Sequence, residues 1–198
     1  LRLVLLLAAM MCGGLYFHLI FYVLPSYLGG LAAPGADKTV VGGWLAAVVY
    51  LVGAAGQILS GRLLKRRVGS GLYVAVLAVA TPLVWVPSIL SGVPLVALAG
   101  AMSFVIFMVQ PIENVLLARY SSARLRGILY GAKFILVFGV GGLGTALGGW
   151  VSESYGHGDV FRVASVFTLL AGLFALGAWW MGKASNRARA TITSGEKV

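Results

Sequence analysis

The chain has 198 residues, 60% of them hydrophobic and only 10% charged, with a formal net charge of +10. A water-soluble domain carries roughly 25% charged residues, so this much apolar surface cannot be hidden inside a 20.7 kDa globule and its solvent is expected to be lipid. The basic excess sits at the ends of apolar runs, where it sets topology, and on that ground nucleic acid is not expected as a partner.

In lipid every backbone donor and acceptor must be paired internally, so only helices or closed barrels can cross. The apolar runs are continuous and about 20 residues or longer, the length a helix needs for about 30 Å of hydrocarbon. Barrel strands would alternate in polarity over about ten residues. An all-α integral membrane fold is therefore expected. Arg2 heads the first span, 3–28, which has no cleavage site of the kind that ends a signal peptide. Cys12 within it has no second cysteine to pair with and reads as a small packing residue. The second span covers 39–60. The third, 72–89, is short and carries Pro82 and Pro87, which predict a kinked or frayed outer end. The fourth, 94–118, begins with Pro94 in a first turn that tolerates it. The fifth and sixth cover 128–151 and 160–181. Residues 1–181 thus form one six-helix unit, and the polar, basic segment 182–198 is expected to be a disordered tail.

Glycine, 28 residues in all, is concentrated within the spans. The fifth reads Gly139-Val140-Gly141-Gly142-Leu143-Gly144, then Gly148-Gly149-Trp150, and the second has Gly53, Gly56 and Gly61. Small residues let membrane helices approach closely. Glycine-rich spans at matching places also fit a 3+3 internal repeat of the sort found in secondary transporters.

Ionisable groups within the bilayer are costly and face a bundle interior or an aqueous cavity. Glu113 lies about 9 Å along the fourth helix from Arg119, and Lys133 lies as far into the fifth from Gly127, so the two should reach similar depth. At about 100° per residue Ser103, Gln110, Glu113 and Asn114 share one arc of the fourth helix, opposite Phe104, Phe107, Pro111 and Val115. This predicts a polar stripe turned toward the protein interior. Lys133 shares a face with Tyr130, Val137, Gly141, Gly144 and Gly148, which leaves room beside it. Two readings stand open. The charges line a cavity where Glu113 carries a proton or binds a solute, or they form a structural ion pair with Lys133 reaching for the interface. His18 near the middle of the first helix, one turn from Tyr22, is a further solute or proton candidate. Tyr50 and Gln57, on a small-residue face with Ala46, Gly53 and Ser60, complete the set.

No enzyme is expected. Gly69-Ser70-Gly71 lacks the first glycine of an intramembrane serine protease's Gly-x-Ser-Gly, and no phosphate-binding loop or metal-spaced Cys/His set occurs, so neither cofactor nor metal is expected.

Between the second and third spans, Gly61-Arg62-Leu63-Leu64-Lys65-Arg66-Arg67 resembles the loop motif Gly-x-Leu-Ala-Asp-Arg-x-Gly-Arg-Arg of the major facilitator superfamily, with Lys65 where that motif is acidic. Arg126-Gly127-Ile128-Leu129-Tyr130-Gly131, leading into the glycine-rich fifth span, resembles the start of the family's eleventh helix, and Gln110-Pro111 resembles the helix before it. The resemblance covers nearly the whole chain as helices seven to twelve of a twelve-helix bundle. It implies secondary active transport of a small organic solute by alternating access, in a family often coupled to a proton gradient; efflux is the direction expected, though the resemblance does not itself imply it. It also implies a first and fourth helix lining the cavity, a second and fifth bordering it, a third and sixth facing lipid, and Gly61, Arg62, Arg66 and Arg67 in a cytoplasmic gate loop. A missing amino-terminal half or a second chain is the expected partner, and the opening Leu1 in place of Met agrees with a fragment of a longer protein. The competing reading is a self-contained six-helix protein acting as an oligomeric channel or assembly scaffold.

Orientation follows from the basic residues. Arg2, Arg62, Lys65, Arg66, Arg67, Arg119, Arg124, Arg126, Lys183, Arg187, Arg189 and Lys197 fall on one side, and only Lys38 and Arg162 on the other. The positive-inside rule makes the first side cytoplasmic, in the cell membrane and, for a bacterial protein, the inner membrane. Reporters active only in the cytoplasm should therefore work at either terminus and fail when inserted at Gly156. Termini reporting opposite compartments would break the six-span topology.

Overall fold

The computed structural model describes residues 1–66 and 69–195, with side chains described for 1–65 and 69–184. The chain forms α1 (Arg2–Gly29), α2 (Lys38–Arg66), α3 (Ser70–Trp85, continued by a 3-10 turn Val86–Ser88), α4 (Val93–Tyr120), α5 and α6 (His157–Gly195). Helix α5 spans Arg126–Tyr155 and is built from α-helical Arg126–Phe134, π-helical Ile135–Val140 and α-helical Gly141–Tyr155. All six are long and apolar enough to cross a membrane. This is the architecture of a multi-pass membrane protein.

Three features depart from the sequence reading. Helix α2 runs on past Ser60, so Gly61, Arg62 and Arg66 lie in its last turns and not in a loop, while Arg67 falls outside the described residues. Helix α6 continues to Gly195, so most of the segment after Met181 is helical and not a disordered tail. The α2 extension is rich in Leu, Lys and Arg, and the α6 extension mixes Lys, Arg and Ala with Ser, Asn and Thr. Leu, Lys, Arg and Ala all favour helix, and nothing obliges the hydrogen-bond ladder to stop where the hydrocarbon does. The third departure is the π-helical stretch in the middle of α5, which hydropathy does not reveal. Of the two prolines of α3, Pro82 stays within the helix, and Pro87 falls in the 3-10 turn that follows it.

Helix α1 packs against α6, α5 and α2, while α4 packs against α2 and α3, and α3 against α6. Helices α1 and α4 also touch, and α5 reaches α4 and α6 over short stretches. Among the described residues α2 and α5 do not pack against each other. They flank the α1–α4 contact on one side of the bundle, and α3 and α6 close the other.

Two glycine seams make this packing possible. On α2 the buried residues Gly42, Ala46, Val49, Gly53, Gly56 and Ser60 recur every three or four positions, the spacing that keeps one helix face against a neighbour. A methyl group at Gly56 would collide with the backbone of Phe104, and one at Gly53 would lie 2.5 Å from the Phe107 ring. On α5 the seam is Gly141, Gly144, Gly148 and Val151, laid against α1. The space beside Lys133 that these glycines leave is filled by α1. The phenylalanine side of α4, opposite the polar arc, is likewise covered by α2. With no hydrophobic drive between helices in lipid, such close backbone approach supplies the association.

Proline creates a second join. Pro25 interrupts α1 and has no N–H to offer the carbonyl of Phe21, four residues back. The Tyr50 hydroxyl of α2 donates to that oxygen at 3.1 Å. Farther along, Tyr27 donates to the carbonyls of Pro87 and Leu90 at 2.8 and 3.0 Å. These carbonyls lie at the end of α3, where the helix leaves acceptors unpaired.

A matched pair of substitutions on α5 tests the seam. A methyl group at Gly144 would lie 2.6 Å from the Leu15 carbonyl oxygen, whereas nothing lies within 4 Å at Gly142. Gly144→Ala should lower stability in detergent by about 1–3 kcal/mol through overpacking. Gly142→Ala should be neutral or slightly stabilising, as alanine favours helix. Thermal unfolding of the two variants side by side checks this.

Candidate functional site

Glu113 lies seven residues before the end of α4, and Lys133 seven residues after the start of α5. The two helices run in opposite directions, so both side chains reach one level, about 10 Å from the helix ends that carry most of the basic residues. There Lys133 Nζ stands 3.0 Å from Glu113 Oε2, and both side chains are almost fully buried, at 6% and 5% exposure. The Tyr73 hydroxyl of α3 donates to Glu113 Oε1 at 2.9 Å. Lys133 also donates to Asn114 Oδ1 at 2.7 Å, and Tyr130 donates to the Asn114 backbone carbonyl at 2.8 Å. Each carboxylate oxygen therefore has a partner, and the ammonium has two. An isolated charge in this medium would cost several kcal/mol. The network is what allows two charges to persist here.

Helix α1 completes the site. Gly13 faces Glu113, where a methyl group would come within 3.4 Å of Oε1. Beside it is a cavity of about 20 Å³ lined by Gly13, Gly14, Tyr16, Phe17, Gln110 and Glu113 among others, room for about one water molecule. Gly14 also lets the π-helical part of α5 come close, its missing methyl group falling 2.5 Å from the Val137 carbonyl oxygen. Helix segments of π type occur often at functional positions, and this one begins two residues after Lys133.

The structure brings some of the candidates named from the sequence together and leaves others apart. Glu113, Lys133 and Asn114 are brought together. Gln110 and Gln57 meet across α4 and α2, with Gln57 Nε2 donating to Gln110 Oε1 at 3.4 Å, and Gln110 lines the cavity with Glu113. Tyr50 is occupied with the Phe21 carbonyl, but its ring packs 5.2 Å from Phe21. That ring joins an aromatic cluster with Phe17 and Phe107, whose centroids lie 4.4 to 5.9 Å from their neighbours. His18 stands apart from the ion pair, on the α1–α5 seam, edge-on to Phe17 and Phe138, and its buried Nε2 has no hydrogen-bond partner. Tyr22 is 55% exposed. It belongs to a separate hollow toward the other end, shared with Ser26, Ser152, Glu153 and His157. Ser103 is fully buried on α4, whereas Asn114, on the same arc, is exposed.

Spacing did not single out Tyr73, Tyr16 or Gly13. Tyr73 lies three residues into α3 from the basic end, so its long side chain can reach the depth of Glu113. That arithmetic was open to the sequence; the adjacency of α3 and α4 at this point was not. Among the described residues no three His, Cys, Asp or Glu side chains gather as a metal site would need. The chain matches no family model and no curated protein sequence.

A buried pair loses most when one partner is removed and the other left behind. Lys133→Met should therefore destabilise the protein by about 3–5 kcal/mol near neutral pH. Adding Glu113→Gln to it should restore most of that loss. Equal stability of the single and double variants in thermal unfolding would mean that the two charges do not depend on each other.

Proposed function

We propose that this chain is the carboxyl-terminal half of a major-facilitator-type secondary transporter that moves a small organic solute by alternating access. The observation that carries the reading is the buried Glu113–Lys133 pair with a water-sized cavity at its side, set at the meeting of α1, α4 and α5. Intramembrane ionisable groups mark solute and proton pathways, and a carboxylate whose partners can be exchanged is a means of linking protonation to solute binding.

The packing adds support. Among the described residues, exchanging α1 with α4, α2 with α5 and α3 with α6 turns every neighbouring helix pair into another neighbouring pair, except α5–α6, whose counterpart α2–α3 does not pack. Such an exchange is what a 3+3 repeat would produce. On this reading the half-exposed aromatic and amide side chains of α1, α2 and α4 would be the surface that an opposing six-helix half covers. That half is a further part of the polypeptide or a second chain.

The test is solute-dependent proton flux in proteoliposomes holding the complete transporter, with a panel of small organic acids, amines and neutral aromatic compounds. Native protein should move protons with one class of solute, and Glu113→Gln should abolish that coupling while allowing solute exchange without a gradient. Unchanged coupling in Glu113→Gln would remove the carboxylate from the mechanism. A stable homo-oligomer that conducts passively would favour the channel reading.

A further inference from the structure

Glu113 and Lys133 are held differently. Glu113 is enclosed: Tyr73 takes one oxygen and Lys133 the other. Lys133 has its second bond to Asn114, an exposed residue on the face where α5 meets α4 through Lys133 and Tyr130. Of the two charges, the ammonium is the one whose partner can be replaced from that face. We infer that the solute is a small organic monoanion, a carboxylate with an apolar body, and that it binds at Lys133 together with one proton on Glu113. The inference rests on the transport reading for its direction of use.

Charge balance is the reason. With Glu113 ionised, an incoming anion would place two negative charges against one positive charge away from water. With Glu113 protonated and no anion, the ammonium would be left without a counter-charge. Either event alone carries the penalty of an uncompensated buried charge, and the two together carry none. Each ligand must then raise the affinity for the other by the same factor. A cation would have to expel Lys133 from the only acid in the cluster, leaving the ammonium buried beside it.

The groups facing Glu113 fit this account. They are Lys133 from α5, Tyr73 from α3, and Tyr16 with nearby Cys12 from α1, while α2 presents the uncharged Gln57 to Gln110. Of the proton-bearing groups, only the carboxyl ordinarily releases its proton below neutral pH. The cavity beside it has room for the water that would deliver one. Approach favours an anion as well, because Arg124 and Arg126 are exposed at the same end of the bundle, with Arg126 two turns before Lys133 on α5. Phe17 lines the cavity with Glu113 and continues into the Phe21, Phe107 and Tyr50 cluster, a surface suited to an apolar or aromatic body.

The probe is benzoate, with benzamide and benzylamine as neutral and cationic counterparts, titrated calorimetrically against the full chain in nanodiscs. Benzoate should bind with uptake of one proton per anion, measured in weakly buffered solution. Its affinity should fall about tenfold for each pH unit above neutrality, as linkage to one proton requires. Glu113→Gln should still bind benzoate, with no proton uptake and a flat pH profile. The charge-free double variant Glu113→Gln with Lys133→Met guards against misfolding and should lose benzoate binding. Absence of benzoate binding to the native chain, equal binding of benzamide or benzylamine, a flat native profile, or benzoate retained by the double variant would each overturn the inference. Proton-linked benzoate binding without flux of any solute would remove transport and leave the anion site standing. Flux of amines alone would do the reverse.

Discussion

A carboxylate and an ammonium 3.0 Å apart, in a bundle whose other charges lie near its helix ends, impose a strict condition on the helices around them. Neither charge can be wetted freely, so α3, α4 and α5 must each deliver a side chain to one place in the bundle. Tyr73 has to come from the start of α3, Asn114 from the residue next to Glu113, and Lys133 from a helix running the opposite way. The relative heights of three helices are therefore set by one polar cluster. Apolar packing alone would tolerate their sliding.

Close packing around the cluster depends on residues with almost no side chain. Gly13 and Gly14 allow α1 to lie against the acid on one side and the π-helical backbone of α5 on the other. The seams on α2 and α5 do the same for the outer pairs, α2 on α4 and α5 on α1. Glycine lowers the stability of an isolated helix, but the lipid-buried backbone has no competing partner for its hydrogen bonds. The helices keep their form, and the missing side chains become contact surface.

How much of this could be read from the amino acids depends on whether a feature is local. The six spans follow from length and hydropathy, and their positions agree with the helices to within a few residues wherever a charge or a turn marks the end. Depth along two antiparallel helices is also local arithmetic, and it brings Glu113 and Lys133 to one level. What escaped depends on neighbours. Tyr73 belongs to the site because α3 happens to lie beside α4, and Tyr50 serves a carbonyl released by a proline on another helix. Asn114 shares an arc with buried Ser103 but ends up exposed, because the covering helices differ along the length of α4. The helical run of α6 through its basic tail was missed for another reason: a polar composition describes the solvent and says little about the backbone.

The hydrogen bond from Tyr50 to Phe21 has a mechanical side. Pro25 leaves α1 with a weak point one turn beyond that carbonyl, where bending is easiest. The phenol of α2 is fastened on the near side of that point, and beyond it Gly42 and Lys38 of α2 lie close against Pro25 and Gly29, so the end segment of α1 cannot swing by itself without losing that contact. It must carry α2 with it. The two helices form a single lever with its pivot near Pro25, and any opening of that end of the bundle would move them as a pair.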